Sequence, residues 1–246
     1  VCHASGFAEA GVEGREAQER LVAAAGEMAL VGPNCYGLID ARHGASLWPI
    51  DHRPWRVERG PAFIAQSGNL AINVTVNDRS IDFAYAIGVG NQAGLGIEDF
   101  IDVLADDPGV SAIGLYLEGL RDAQAFADAV RKAHARGIGI VVLKAGKSAL
   151  GQRLTVSHTA SLAGSDAVYR GFFERIGVAE VSSVPAMLES LKILDILGES
   201  VINRGLHLVP AGIHRFGDMI ILTIHHVGVI ARAAEHVIIA RAPVQL

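Results

Sequence analysis

The sequence predicts an α/β protein in which a parallel β-sheet is flanked by helices. Short apolar runs recur along the middle of the chain, and amphipathic segments of helical period separate them. This alternation is typical of parallel strands joined by crossover helices. Polar turns that contain glycine follow the apolar runs, as expected where buried strands end.

The region before residue 60 contains fewer elements. A helix is predicted over 13–26, where leucine, valine and alanines recur at helical spacing. Residues 29–31 predict a short strand, and Gly32-Pro33-Asn34-Cys35 a turn at its carboxyl end. Residues 46–59 are rich in Pro, Arg and His without periodicity, which is typical of an interdomain linker.

From Gly60 onward, strands and helices alternate regularly. The predicted strands are 61–65, 83–89, 111–117 and 138–143, and the predicted helices are 70–77, 97–105 and 123–135. This order alone predicts a flavodoxin-like domain over residues 60–197.

A further helix is predicted after residue 164. Ser165 or Asp166 suits its N-cap, and apolar residues follow at helical spacing. These apolar residues are Val168, Phe172, Ile176 and Val178. Residues 198–246 are less regular, and we expect a linker and the truncated or altered start of another α/β domain.

Composition narrows the class of protein. Half of the 246 residues are hydrophobic, 19% are charged and the net charge is -5, which favours a globular protein and argues against nucleic acid as a partner. No apolar run has the length of a membrane span, and no basic-then-apolar leader opens the chain. Two cysteines form no disulfide framework, so we expect a reduced, cytoplasmic setting.

Four loops should meet at one edge of the predicted sheet. They cover residues 66–69, 90–94, 118–119 and 155–164, each at the carboxyl end of a strand, where α/β folds place their ligands. Ser67, Gly68 and Asn69 open a helix, whose free amide groups suit a phosphate. A helix cap without a ligand would use the same residues.

His158 and Glu118 are the ionisable groups of interest in these loops. His158 has hydroxyl neighbours, among them Ser161, although a solvated histidine in a polar loop is the simpler interpretation. Glu118 follows a predicted strand and could equally be a solvated loop end. His43 and His52 lack partners at ligand spacing, so we expect no metal site.

The segment SHTASLAGSDAVYRGFFERIGV, which starts at Ser157, resembles the phosphohistidine segment of the NDP-forming acyl-CoA synthetases, relatives of succinyl-CoA synthetase. The family's usual form is SHTGSLAGSD, so Ala160 replaces a common glycine. The resemblance extends over about residues 7–197. It implies that His158 carries a phosphoryl group and that Glu118 orients its imidazole. It also implies that the QSG turn at 66–68 contacts the phosphate.

Two earlier motifs share this resemblance. GFAEAG at 6–11 and GPNC at 32–35 are similar to the last part of the family's Rossmann-like CoA-binding domain. The resemblance implies that residues 1–45 are the end of such a domain, that most of it lies upstream of Val1, and that Pro33, Asn34 and Cys35 contribute to CoA binding. As a pattern alone, GPNC is an ordinary proline turn.

The resemblance implies an acid–CoA ligase that forms acyl-CoA, ADP and phosphate from a carboxylic acid, CoA and ATP. It places ATP and Mg²⁺ on an ATP-grasp domain or β-subunit absent from this chain, within an oligomer. The alternative is a non-catalytic regulatory domain of the same fold, as in protein acetyltransferases that carry a degenerate synthetase region. Ala160 and Gly94, which stands where an acidic residue is common, favour that alternative; His158 and Glu118 oppose it.

Overall fold

The computed structural model describes residues 1–52, 56–76, 81–146 and 166–198. Its strands are β1 (Gly37–Asp40), β2 (Ala45–Leu47), β3 (Gly60–Ala65), β4 (Tyr85–Gly88), β5 (Val110–Leu117), β6 (Gly139–Lys144) and β7 (Ala179–Val181). Its α-helices are α1 (Val12–Ala25), α2 (Gly68–Thr75), α3 (Ile97–Leu104), α4 (Ala123–Ala135), α5 (Asp166–Ile176) and α6 (Val184–Leu197). A single 3₁₀ turn, Ala8–Ala10, precedes α1.

The seven strands form one sheet in the order β2-β1-β4-β3-β5-β6-β7. The five strands from β4 to β7 are parallel, and taken alone they have the 2-1-3-4-5 order of flavodoxin-like folds. β3 and β6 are buried along their whole length, because helices cover both faces of the sheet. The predicted fold class is confirmed.

Each face of the sheet has its own hydrophobic core. One core packs α3, α4 and α5 against the sheet and includes Ile101, Phe126 and Phe173. The other packs α2 and α6 against the opposite face and includes Val74 and Leu191. The structure is therefore a three-layer sandwich whose loops at the carboxyl strand ends remain available for a site.

β1 and β2 extend this sheet with antiparallel strands. Leu38 of β1 pairs with Ile87 of β4, and β2 pairs with the outer side of β1. The sequence assigned residues 1–45 to an upstream domain and 46–59 to a linker, yet residues 37–47 pair with the sheet of the 60–197 region. Their strand conformation depends on pairing with β4, which is distant in sequence. The division of the chain into domains at residues 45 and 60 stays a prediction.

Two local predictions differ from the structure. Residues 29–31 form no strand; the Leu30 and Val31 carbonyls instead accept isolated hydrogen bonds, from the Leu95 amide at 2.8 Å and the Cys2 amide at 2.9 Å, and Val31 also accepts one from Cys35 Sγ. Without a neighbouring strand, this apolar stretch lacks the ladder that defines β-structure.

The predicted apolar face of α5 is also shifted. Val168 is 66% exposed, whereas Tyr169 and Phe173 are buried one turn apart. These two aromatic residues form the buried stripe because they lie at i and i+4. Within the described residues, no helix is long and apolar enough to cross a membrane. The prediction for residues 198–246 lies almost wholly outside the described ranges.

Candidate active site

A cavity of about 500 Å³ lies at the carboxyl edge of the parallel strands. β3 sits at the point where the strand order reverses, so the loops after β3 and β5 diverge there and leave a crevice. The lining residues are His3, Ser5, Asn34, Cys35, Tyr36, Gln66, Ser67, Gly68, Asn69, Gly90, Asn91 and Glu118. Six of the residues singled out from the sequence therefore share one cavity: Asn34, Cys35, Ser67, Gly68, Asn69 and Glu118.

The amino terminus of α2 forms one wall. Ser67 is its N-cap, and the Ser67 hydroxyl oxygen accepts a hydrogen bond from the Leu70 amide at 3.4 Å. Gly68 and Asn69 of the first turn line the cavity. The first amides of a helix have no partners within the helix and carry its positive dipole end. This wall therefore suits an anion.

Gly68 also packs against an aromatic ring. A Cβ atom at this position would lie 2.2 Å from Cδ2 of Tyr36, well inside any van der Waals contact. Tyr36 is in turn tilted against Trp48, with ring centroids 6.1 Å apart. The glycine thus allows the α2 backbone to approach the residues that follow the GPNC turn.

The sequence placed Gln66 in the QSG turn but gave its side chain no role; in the structure that side chain holds the loop after β5. The side chain is buried, and its carbonyl oxygen accepts hydrogen bonds from the amides of Glu118 and Gly119. Its amide nitrogen donates to the Gly119 carbonyl at 2.8 Å. No local pattern reveals this role, because the partners are more than fifty residues apart.

Glu118 lines the cavity from the loop that Gln66 holds. Its own carbonyl oxygen accepts a hydrogen bond from Lys144 Nζ at 2.8 Å, so both of its peptide groups are fixed. Burial raises the pKa of Tyr116, and the nearby Glu118 charge adds to the shift. A carboxylate whose backbone is fixed beside a cavity is suited to accept a proton or to orient a histidine.

Asn34 and Asn91 connect the GPNC turn to the loop after β4. Asn34 has a left-handed backbone with φ 56, and its side-chain amide donates to the Asn91 side chain at 3.3 Å. Asn91 also donates to the Glu9 carboxylate. Although burial alone would raise the pKa of Glu9, this and other hydrogen bonds lower it. Pro33 does not line the cavity; its carbonyl accepts a hydrogen bond from the Asn91 amide.

Cys35 is buried at the cavity wall and forms no disulfide. Both cysteines are free thiols, and Cys35 Sγ donates to the Cys2 carbonyl at 3.4 Å. Burial raises the pKa of the Cys35 thiol, so it is a poor nucleophile near neutral pH. His3 Nδ1 lies 3.1 Å from the Cys35 carbonyl oxygen, which fixes His3 at the cavity wall.

Packing explains why glycine occupies positions 94 and 96. A Cβ atom at Gly94 would lie 2.5 Å from the Leu30 carbonyl oxygen, and one at Gly96 would lie 2.6 Å from a Glu98 carboxylate oxygen. Arg121 holds this loop through the carboxylate of Glu98, with Nε to Oε1 at 2.9 Å. The acidic groups of this region therefore come from α3.

His158 and Ser161 lie outside the described residues, as does the rest of 147–165. The chain enters that segment from Gly146, just after β6, and leaves it at Asp166, where α5 begins. In the part of the chain that the structure describes, no group of three or more His, Cys, Asp or Glu side chains could hold a metal ion.

The sequence matches a protein family described as the succinyl-CoA ligase like flavodoxin domain over residues 58–194. The ADP-forming acetate–CoA ligase I of Archaeoglobus fulgidus is 37% identical over 195 residues, which are 77% of this chain and 28% of that protein. The α-subunit of ADP-forming acetate–CoA ligase I of Pyrococcus furiosus is 35% identical over 203 residues, which are 79% of this chain and 42% of that subunit.

A solved structure has the same architecture. The dinucleotide-forming acetyl-coenzyme A synthetase 1 of Ca. Korarchaeum cryptofilum, in complex with phosphate and ADP, superposes with a TM-score of 0.70 at 32% identity. The match covers 79% of this chain and 42% of that one. The chain thus spans less than half the length of each of these three proteins.

Proposed function

The chain belongs to the family of succinyl-CoA ligase-like flavodoxin domains, and from this premise we propose that it is the phosphoryl-carrying module of an ADP-forming acid–CoA ligase. The overall reaction converts a carboxylic acid, CoA and ATP into acyl-CoA, ADP and phosphate. His158 receives the phosphoryl group from ATP and passes it to the carboxylate, which becomes an acyl phosphate. The relatives named above are ligases or synthetases of this type.

One observation carries the proposal: a single cavity brings the α2 amino terminus, Glu118 and the GPNC turn together. An anion site, an orienting carboxylate and a CoA-side wall are the parts that such a reaction requires around one histidine. These parts come from separate stretches of the sequence, so their meeting is a property of the fold.

Glu118 is proposed to orient the imidazole of His158. A carboxylate that accepts a hydrogen bond from Nδ1–H fixes the tautomer and leaves Nε2 as the nucleophile. The negative charge also stabilises the imidazole while a phosphoryl group is attached. Gln66 and Lys144 fix the peptide groups on both sides of this residue, which limits its freedom to move away.

Ser67, Gly68 and Asn69 are proposed to hold the phosphoryl oxygens, together with Ser161. Amide groups at a helix amino terminus are preorganised for an anion and need little rearrangement during transfer. The polar wall formed by Asn34 and Cys35 is proposed to face the thiol end of CoA. The Cys35 thiol is buried and its pKa is raised, so it does not compete with CoA as a nucleophile.

ATP and Mg²⁺ are proposed to bind an ATP-grasp domain or β-subunit that works with this chain. When bound, the metal ion neutralises charge on the transferring phosphate. The described residues contain no cluster of ligands for it, so the chain's own contribution is to receive, hold and release the phosphoryl group. The α-subunit name of a relative supports such a division of labour.

The test is phosphoryl labelling of the full-length protein, supplied with an ATP-grasp domain or β-subunit, Mg²⁺ and labelled ATP. We expect label that is labile in acid and stable in alkali, as a phosphoramidate is. His158→Ala should abolish the label. His134→Ala is the matched control, because His134 is a half-buried histidine of α4 outside the cavity. A protein that takes up no label would instead be the regulatory domain considered above.

A further inference from the structure

Lys144 is a buried lysine whose contacts go beyond its hydrogen bond to the Glu118 peptide group. It is the last residue of β6 and is only 7% exposed. Burying an ammonium group is costly unless hydrogen bonds or charges compensate for the lost water. Its Nζ donates to the Glu118 carbonyl at 2.8 Å and to the Ala145 carbonyl at 2.6 Å. It also lies 4.7 Å from the centroid of the Tyr169 ring.

Tyr169 contacts the same loop from α5. Its hydroxyl oxygen accepts a hydrogen bond from the Leu120 amide at 3.2 Å. Residues 118–120 are therefore held by Gln66 from the loop after β3, by Lys144 from the end of β6 and by Tyr169 from α5. Gln66, Lys144 and Tyr169 are here called the brace.

Two members of the brace, Lys144 and Tyr169, flank the segment that contains His158. Lys144 precedes residues 147–165 by three positions, and Tyr169 follows them by four. The ring of Tyr169 and the ammonium group of Lys144 contact each other, so the described residues on the two sides of that segment are tied together. The same ammonium group fixes the Glu118 backbone through its hydrogen bond to the Glu118 carbonyl.

We propose that Lys144 is a positioning residue that couples Glu118 to the described residues flanking the histidine-containing segment. Its ammonium group sets the direction of the Glu118 peptide and thereby the place from which the carboxylate reaches His158. Lysine suits this role because one nitrogen can donate to two carbonyl oxygens and still face a ring. The inference rests on the proposed function, since it assigns Lys144 to the same phosphoryl transfer.

The experiment is a double-mutant cycle in the full-length protein, read out as the rate of His158 labelling. Lys144→Met keeps length and apolar volume but removes the donors, and we expect roughly a tenfold slower labelling when Glu118 is present. In a Glu118→Gln background, the same change should slow labelling by less than about twofold, because the carboxylate that Lys144 positions is already missing. Lys144→Gln, which keeps an N–H donor, should recover part of the rate.

Lys132→Met is the matched control. Lys132 also donates to a backbone carbonyl, that of Asp102 at 2.8 Å, but it lies on α4 outside the cavity. We expect this variant to label at the unaltered rate. Thermal unfolding confirms that each variant is folded; if Lys144→Met is not, Lys144→Gln replaces it in the cycle.

The outcomes distinguish a failure of the positioning role of Lys144 from a failure of the proposed function. Equal rate losses from Lys144→Met in both backgrounds would show a general structural effect and overturn the positioning role, as would unchanged labelling. A full-length protein that takes up no label at His158 would overturn the proposed function and this inference with it. A loss confined to the Glu118 background supports both.

Discussion

The two edges of the parallel sheet use polar side chains in opposite ways. At the amino edge, Asp107 accepts hydrogen bonds from the Tyr85 hydroxyl at 2.6 Å, the Gly109 amide at 2.8 Å and the Arg42 guanidinium. Arg42 also donates to the Glu58 carbonyl at 3.0 Å. These side chains satisfy one another and join the β1–β2 hairpin to the loop before β5.

At the carboxyl edge, the buried side chains of Gln66 and Lys144 bind the main chain instead. They hold the peptide groups of residues 118 and 119, while the Glu118 side chain lines the cavity. We therefore propose that the carboxyl-edge side chains serve the reaction, because they fix a backbone around a cavity. The amino-edge side chains pair with each other, so we expect them to stabilise the fold.

Glu118→Gln should give the largest effect of these variants, and it should slow phosphoryl transfer without destabilising the fold. A hydrogen bond to a charged partner contributes about 1.5–3 kcal/mol, so we expect phosphoryl transfer to slow roughly ten- to hundredfold. The free energy of unfolding should change by less than about 0.5 kcal/mol. Rapid-quench labelling and urea unfolding measure the two quantities. Unchanged labelling would make Glu118 an ordinary strand end.

Asp107→Asn should show the reverse pattern. We expect the free energy of unfolding to fall by about 1.5–3 kcal/mol, because a hydrogen-bonded charge is lost, with labelling unchanged. Although burial alone would raise the pKa of Asp107, its hydrogen bonds lower it. Its contribution is therefore present above the unfolded pKa, near 4, and is lost as pH falls through the lowered folded pKa.

Tyr85 allows the stability contributed by the amino-edge side chains to be tested at high pH. Burial and the hydrogen bond to Asp107 raise the pKa of Tyr85 to about 12. The stability that this provides is full below the unfolded pKa, about 10, and is lost as pH rises toward 12. Tyr85→Phe should therefore flatten the curve of stability against pH in that window.

If Asp107→Asn slowed labelling as much as Glu118→Gln does, the contrast between the two edges would be wrong.

Ser67→Ala should give the smallest effect. It allows two serine N-caps to be compared, of which Ser67 lines the cavity and Ser183 does not. Loss of an N-cap costs about 1 kcal/mol. Ser183→Ala is the matched control, because Ser183 caps α6 in the same manner, accepting from the Ala186 amide at 3.3 Å. Both variants should lose similar stability, but only Ser67→Ala should also slow labelling. Equal labelling in the two variants would reduce Ser67 to a cap.

Local patterns predicted the parallel part of the fold well. The bounds of α4 were predicted residue for residue, because the amphipathic period is regular and Asp122 caps it through the Gln124 and Ala125 amides. β1 and β2 were not predicted. They are four and three residues long, too short for a period to appear, and the pairing of Leu38 with Ile87 is long-range.

The residues of the candidate site that directly follow predicted strands could be identified from the sequence. Ser67, Gly68, Asn69 and Glu118 follow strands, so a topological rule brings them together. Gln66 and Lys144 also stand at strand ends, but their roles depend on partners 53 and 26 residues away. Only the folded arrangement shows that they bind the same loop.

The packing of Gly68 against Tyr36 has a consequence for mutagenesis of the proposed phosphate loop. Replacing a loop glycine is a common way to probe whether a backbone cradles an anion. Here any side chain at position 68 would first displace the Tyr36 ring, which lines the same cavity next to Cys35. A lost activity after Gly68→Ala would therefore report on the proposed phosphate and CoA sites together, because one steric contact joins the two walls.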